Sequence, residues 1–100
     1  MAALTVTFEA ELWRWKGDGA WHFVTVPFDV ADQIEERASR RTQRGFGSVR
    51  VEVTIGASSW STSVFPDKNV ESYVLPVKKQ VRAAENIGEG EVVTVHLRVP

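Results

Sequence analysis

Residues 73–97, YVLPVKKQVRAAENIGEGEVVTVHL, contain the clearest succession of structural signals in the chain. A strand over 70–75 stops at Pro76, because proline has no N–H to donate to a sheet. A helix of about two turns follows, since three apolar residues recur on one of its faces. This apolar stripe consists of Val77, Val81 and Ala84. Residues 87–90 end the helix with two glycines suited to a left-handed C-cap, and a last strand covers 92–99.

The upstream residues 4–26 predict a β-hairpin. Apolar and polar residues alternate over 4–13, which is typical of a half-buried strand. A turn rich in glycine at 16–19 then leads into a second strand over 21–26. Six strands in all are predicted from patterns of this kind.

The middle of the chain predicts a helix and two further strands. Asp29 is placed to cap a helix over roughly 30–39, and alternation marks strands over 49–55 and 59–64. The element order is therefore ββαβββαβ, in a single domain over residues 1–100. We expect a mainly β fold, a small six-stranded closed or nearly closed barrel with two short α-helices, because closure removes unpaired strand edges.

Composition narrows the range of functions. The chain has 100 residues and a net charge of −1, from 12 basic and 13 acidic residues. This balance argues against nucleic acid and anionic lipid as partners, since no long-range field attracts them. The absence of cysteine excludes disulfides, thiolate nucleophiles and Cys-ligated zinc. With no signal-peptide pattern and no apolar run of about 20 residues, we expect a cytoplasmic protein that does not enter membranes.

Five blocks of the chain together resemble a known family. They are FEAEL at 8–12, WHFVTVP at 21–27, RGFGSVRV at 44–51, WSTSVFP at 60–66 and YVLPVKKQVR at 73–82. The combination resembles the bacterial family catalogued as domain of unknown function nineteen-oh-five, over nearly the whole chain. The resemblance implies a double-split β-barrel, an architecture shared with AbrB- and MazE-type transcription factors and antitoxins. It implies no activity, because the family has none established.

Two cations of the second predicted helix form the candidate ligand site. Lys78 and Arg82 lie four residues apart and so share one helix face. Together they suit a carboxylate or phosphate, the arginine through its fork and the lysine as a point charge. The alternative is a solvated helix face paired with Glu85, Glu89 or Glu91, which is the usual role of charge runs. The candidate site at the barrel mouth comprises Ser63, Lys68, Tyr73, Lys78 and Arg82.

A basic segment after the first helix is the candidate nucleic-acid site. It comprises Arg37, Arg40, Arg41 and Arg44. Clustered arginines in a near-neutral protein are typical of phosphate contact. However, single-strand binding uses aromatic platforms along a groove, and Phe46 is the one aromatic residue in this segment. Glu35 and Glu36 also adjoin it, so nucleic acid is the less favoured partner.

Trp13 and Trp15 fall on the otherwise polar face of the first predicted strand. Exposed tryptophans often mark an interface, which here predicts self-association as a homodimer. The alternative is that a helix or the closure of the barrel covers them.

The remaining residues give no sign of catalysis. His22 and His96 have no partners at a metal-ligand spacing, and no Gly-x-Ser-x-Gly motif is present. We therefore expect a non-enzymatic binding module without a cofactor, which recognises a small anionic ligand or a protein partner at the barrel mouth. A dimeric DNA-binding regulator, by analogy with AbrB-like barrels, is the second hypothesis, and an enzyme of unrecognised class is the third.

Overall fold

The fold is one curled antiparallel sheet with two helices. The computed structural model describes residues 3–17, 19–39 and 47–100. The elements are β1 (Leu4–Glu11), β2 (Trp13–Arg14), β3 (His22–Thr25), α1 (Phe28–Ser39), β4 (Val49–Ile55), β5 (Ser58–Asp67), β6 (Ser72–Pro76), α2 (Lys79–Glu85) and β7 (Val92–Val99). All strand pairs are antiparallel, in the order β1-β7-β4-β5-β6-β3-β2.

Leu12 explains the curl of the sheet. It alone separates β1 from β2, yet these strands lie at opposite ends of the strand order. Its side chain has 0% exposure. Its N–H donates to the Glu91 carbonyl at 2.8 Å, and its carbonyl accepts from the Gly90 N–H at 2.8 Å. The chain therefore bends through a buried residue, and the sheet forms a half-barrel.

Alternation along the strands builds the core. β4 and β7 bury every second residue, and the buried set is Val49, Val51, Val53, Ile55, Val93, Val95, Leu97 and Val99. Full burial of a side chain of this size stabilises the fold by about 1.5–3 kcal/mol. The helix α1 adds Val30, Ala31, Ile34 and Ala38. It contacts β1 and β6, and so covers the open side of the half-barrel.

The predicted mainly β class with two helices is confirmed, but the strand arrangement differs from the predicted closed six-stranded barrel. The predicted hairpin over 4–26 is limited to its tip, where Trp13–Arg14 pairs with β3. Leu4–Glu11 instead pairs along its whole length with Val92–Val99. A period of two identifies a strand without identifying its partner, so the pattern did not reveal this long-range pairing.

The helix ends also differ from the prediction. The helix α1 begins at Phe28, and the Ala31 N–H donates to the Pro27 carbonyl at 2.8 Å. Asp29 therefore lies inside the first turn, where a negative charge suits the helix dipole, and does not precede the helix as a cap. At the end of α2 the left-handed position is taken by Asn86, with φ of 54°, and not by a glycine. Asparagine tolerates this conformation better than other non-glycine residues.

The outer face of the sheet has a polar half. Three cross-strand pairs occupy it: Thr7 with His96 at 3.0 Å, Arg98 with Glu52 at 2.9 Å, and Thr54 with Ser59 at 2.8 Å. These pairs lie on β1, β7, β4 and the first part of β5. In the described residues no helix has the length and apolarity needed to span a bilayer.

Candidate functional site

A gap in the sheet creates a cleft beside α2. Of the residues of β5, only Phe65–Asp67 pair with β6. The earlier residues of β5 therefore have a strand partner on one side alone, and that partner is β4. The helix α2 packs against β5 next to this gap. Between them opens a cleft of about 480 Å³, which we call the cationic cleft.

Three basic side chains line the cationic cleft: Lys78, Lys79 and Arg82. None of the described residues that line it is acidic. Within the part of the chain that the structure describes, no carboxylate lies at ion-pair distance from these three residues. The cleft therefore concentrates positive charge that no acidic side chain compensates.

Hydrogen bonds to the backbone hold Arg82 in place. Its Nε donates to the Val77 carbonyl at 3.1 Å, and its Nη2 donates to the Ala20 carbonyl at 3.4 Å. Val77 is itself 2% exposed, and its N–H donates to the His22 carbonyl at 2.9 Å. The guanidinium is therefore positioned from both the segment before β3 and the segment before α2. A group fixed in this way loses less side-chain entropy when it binds a ligand.

The acidic residues expected to pair with these cations act elsewhere. The Glu85 carboxylate accepts from the Ser58 hydroxyl at 2.6 Å and from the Ala57 N–H at 3.4 Å. The Glu91 carboxylate accepts from the Gly88 N–H at 2.7 Å. Neither of these two glutamates therefore pairs with the cations, although Lys78 and Lys79 are themselves exposed to solvent.

The other walls of the cationic cleft are aromatic and hydroxyl-bearing. They include Trp21, His22, Trp60, Ser61 and Thr62. The His22 Nδ1 donates to the Ala20 carbonyl at 2.8 Å. The cleft therefore combines cations, hydroxyl donors and flat apolar faces. Such a set can bind and orient an anion.

An aromatic groove of about 390 Å³ adjoins the cationic cleft. It lies on the outer face of β3, β6 and the end of β5, and its large side chains are Trp15, Trp21, Phe23 and Phe65. Trp21 and Phe23 stack with ring centroids 6.4 Å apart. The Trp15 ring lies over Gly17, where an added Cβ would collide with it.

The two tryptophans of the predicted interface have different surroundings. Trp13 is half-buried, because its ring lies 5.1 Å from Phe23 and its Nε1 donates to the Thr25 hydroxyl at 2.9 Å. Trp15 has 46% exposure and lines the aromatic groove. Trp13 is thus covered by its own sheet, and Trp15 is the exposed member of the pair.

The five residues of the predicted mouth are not brought together. Lys78 and Arg82 line the cationic cleft, whereas Lys68 and Tyr73 line a separate cleft of about 370 Å³. Ser63 lies opposite Arg50 in the register of β4 and β5. The physical reason is the length of β6. Tyr73 lies near the start of this strand and Lys78 follows its end. Since each strand residue adds about 3.3 Å, the two side chains are far apart.

The separate cleft is acidic, with Asp32, Glu35, Asp67 and Glu71 beside Lys68 and Tyr73. Burial, and secondly the negative charge of Glu35, raises the pKa of the Tyr73 phenol. Among the described residues, no group of three or more histidine, aspartate or glutamate side chains is arranged to hold a metal ion.

The candidate nucleic-acid segment is only partly described. Arg37 is half-buried near the end of α1, beside Glu36 in a small cleft of about 220 Å³. Arg40, Arg41 and Arg44 lie outside the described residues.

Sequence reasoning missed the aromatic part of the site. Trp21 lies in the segment before β3, and Trp60 lies in β5. These two segments meet only through the long-range order of the sheet. The structure also adds Lys79 to the lining of the cleft. The sequence does carry a signal at Trp60, because Ser59, Ser61 and Ser63 share one face of the strand and Trp60 lies on the other.

Comparison with known protein families gives a match. The family model described as Domain of unknown function (DUF1905) matches residues 8–97, which is most of the chain. No curated protein matches the chain.

Proposed function

This chain belongs to the DUF1905 family, and we propose that it is a non-enzymatic binding module whose cationic cleft takes a small carboxylate or phosphate. The observation that carries the proposal is the set of three cations, Lys78, Lys79 and Arg82, gathered in one concave cleft without an acidic neighbour among the described lining residues. The absence of a recognisable nucleophile or acid–base motif in the sequence supports the non-enzymatic part.

Charge arrangement favours an anion here although the whole chain is nearly neutral. The net charge is −1, so attraction must come from local charges. Concave sites lined by charges of one sign focus the field and raise the local concentration of the opposite ion. Four of the chain's acidic residues, among them Glu35 and Glu71, line the separate acidic cleft, so the two clefts have opposite preferences.

The donors in the cationic cleft suit an oxyanion. A guanidinium offers parallel N–H groups to two oxygens, and an ammonium acts as a mobile point charge. Because Arg82 uses Nε and Nη2 on backbone carbonyls, its Nη1 remains for a ligand. Ser61 and Thr62 add hydroxyl donors from β5, so that an anion contacts both sides of the gap.

Isothermal titration calorimetry with inorganic phosphate and with short carboxylates tests the proposal. We expect binding by the wild-type protein, and a loss of affinity of tenfold or more in the Lys78→Ala/Lys79→Ala variant. The roughly tenfold loss corresponds to about 1.4 kcal/mol, within the range for hydrogen bonds to charged groups. Arg82 is left in place because its contacts to the backbone are structural.

Lys68→Ala provides the control, since it makes the same Lys→Ala change at one exposed residue in the acidic cleft. It should bind anions like the wild type or slightly more weakly, since the loss of a distant cation makes the protein only slightly less attractive to an anion. No heat of binding with any of the anions, or an equal loss in the control and in the double variant, would overturn the proposal.

A further inference from the structure

The cationic cleft and the aromatic groove share a wall. Trp21 and Pro76 line both of them. The groove also contains three of the large apolar side chains that the described structure leaves exposed: Trp15 at 46%, Trp21 at 57% and Phe65 at 44%. A ligand with a negative charge and an apolar part could contact the cations and the apolar surface at the same time.

We propose that the ligand is an amphipathic anion, with its carboxylate or phosphate head in the cationic cleft and its apolar tail lying across Trp21 and Pro76 in the aromatic groove. This inference rests on the anion-binding function proposed above and adds the class of ligand. The tail is a hydrocarbon chain of a small molecule, and the aromatic and proline side chains of the groove are the surface that it covers.

Charge in the groove fixes the direction of the ligand. Asp67 is the one charged residue among the described residues that line the groove. Along β5 the cationic cleft is lined by residues 60–62 and the groove by residues 65–67, so their centres are roughly 15 Å apart at the rise of a strand. The negative charge of Asp67 repels an anionic head from the far end, and the cations attract it at the near end.

Chain length provides a quantitative test. Removal of one methylene from water contributes about 0.8 kcal/mol, which corresponds to about a fourfold gain in affinity. Titration calorimetry with butanoate, hexanoate and octanoate should therefore show affinity rising about fourfold for each methylene that enters the groove. Equal affinity for the three carboxylates would overturn the inference and leave the anion-binding proposal standing. No binding of any carboxylate or of phosphate would overturn both.

Phe65→Ala removes part of the groove without touching the cations. We expect this variant to bind butanoate like the wild type. It should lose most of the gain in affinity that the wild type shows from butanoate to octanoate. Phe28→Ala is the matched control, because Phe28 has 63% exposure and does not line the groove, and it should keep the gain. Trp15→Ala gives a second groove variant, with the same expectation as Phe65→Ala. A gain preserved in both groove variants, or lost equally in the control, would contradict the inference.

Sedimentation velocity identifies the competing occupant, a second copy of the chain. The inference expects the wild-type protein and Phe65→Ala to have the same oligomeric state. A wild-type dimer that becomes monomeric in Phe65→Ala, together with equal affinity for all three carboxylates, would assign the groove to self-association and overturn the inference.

Discussion

At the scale of single residues, Ser72 is the clearest case of a polar group that the fold needs. Among the described residues it is the one buried polar side chain, at 8% exposure. Its hydroxyl donates to the Val26 carbonyl at 2.7 Å and so ties β6 to the segment before α1. Ser72→Ala leaves this carbonyl unpaired in the interior.

We expect Ser72→Ala to lower the free energy of unfolding by about 1–3 kcal/mol, the cost of an unsatisfied buried group. Urea denaturation measures the change. Ser61→Ala, at an exposed position of β5, serves as the control and should change stability by less than about 0.5 kcal/mol. Equal stability of the two variants would show that the buried bond contributes nothing.

Tyr73 gives a pH-dependent prediction. Burial and, to a smaller extent, Glu35 raise the pKa of its phenol above the usual value of about 10. The fold therefore favours the protonated phenol, and the resulting stability is fully present below pH 10 and is lost as the pH rises through the folded-state pKa. Since Tyr73 is the only tyrosine, ultraviolet absorbance can follow its titration directly.

The expected titration lies above that of a free tyrosine, and Glu35→Gln should lower the pKa only part of the way, because burial is the larger cause. Titration of the wild-type phenol at or below pH 10 would refute this account of the acidic cleft.

At the scale of elements, Glu85 fastens α2 to the turn between β4 and β5. The helix has seven residues, which is too short to be stable alone. It is held by the burial of Val81, at 4% exposure, and by the Glu85 bond to the Ser58 hydroxyl at 2.6 Å. Because Arg82 lies one turn before Glu85, this bond also steadies the cationic cleft.

We expect Glu85→Ala to lower the free energy of unfolding by about 1 kcal/mol. This loss is smaller than the usual contribution of a hydrogen bond to a charged group, because Glu85 is half-exposed. The same variant should weaken anion binding several-fold, although it removes a negative charge from the helix. Titration calorimetry and hydrogen exchange of the α2 amides measure the two effects. Glu89→Ala is the control, because it removes the same charge from an exposed turn position. This variant should bind anions as well as or better than the wild type. Tighter anion binding by Glu85→Ala would contradict the role of Glu85 in steadying the cationic cleft.

The elements also show how far the sequence predicts this structure. Strands at 49–55 and 92–99 agree with the observed bounds, because alternation is a local property. The pairing of β1 with β7 was not predicted, because it joins segments that are distant in sequence. The same limit applies to the site. The four-residue spacing placed Lys78 and Arg82 at one cleft, although Lys78 precedes α2 as its extended N-cap residue. The place of Trp21 depends on which strands become neighbours.

At the scale of the whole molecule, Leu12 links the two ends of the strand order. It is fully buried, at 0% exposure, between β1 and β2. Leu12→Ala should lower the free energy of unfolding by about 2–5 kcal/mol, as for other fully buried leucines. Chemical denaturation followed by tryptophan fluorescence and by circular dichroism should give coincident transitions, since β1 and β2 share one core. A loss below about 1 kcal/mol would show that the bend is not part of that core.

The pairing of Leu4–Glu11 with Val92–Val99 has a consequence during translation. At about 5–20 residues per second, the ribosome needs several seconds after β1 is made before β7 follows. In that interval β1 is an amphipathic strand without its neighbour, open to wrong partners. Thr5, Thr7 and Glu9 place polar side chains on its exposed face, and the charge of Glu9 opposes pairing with a wrong strand edge.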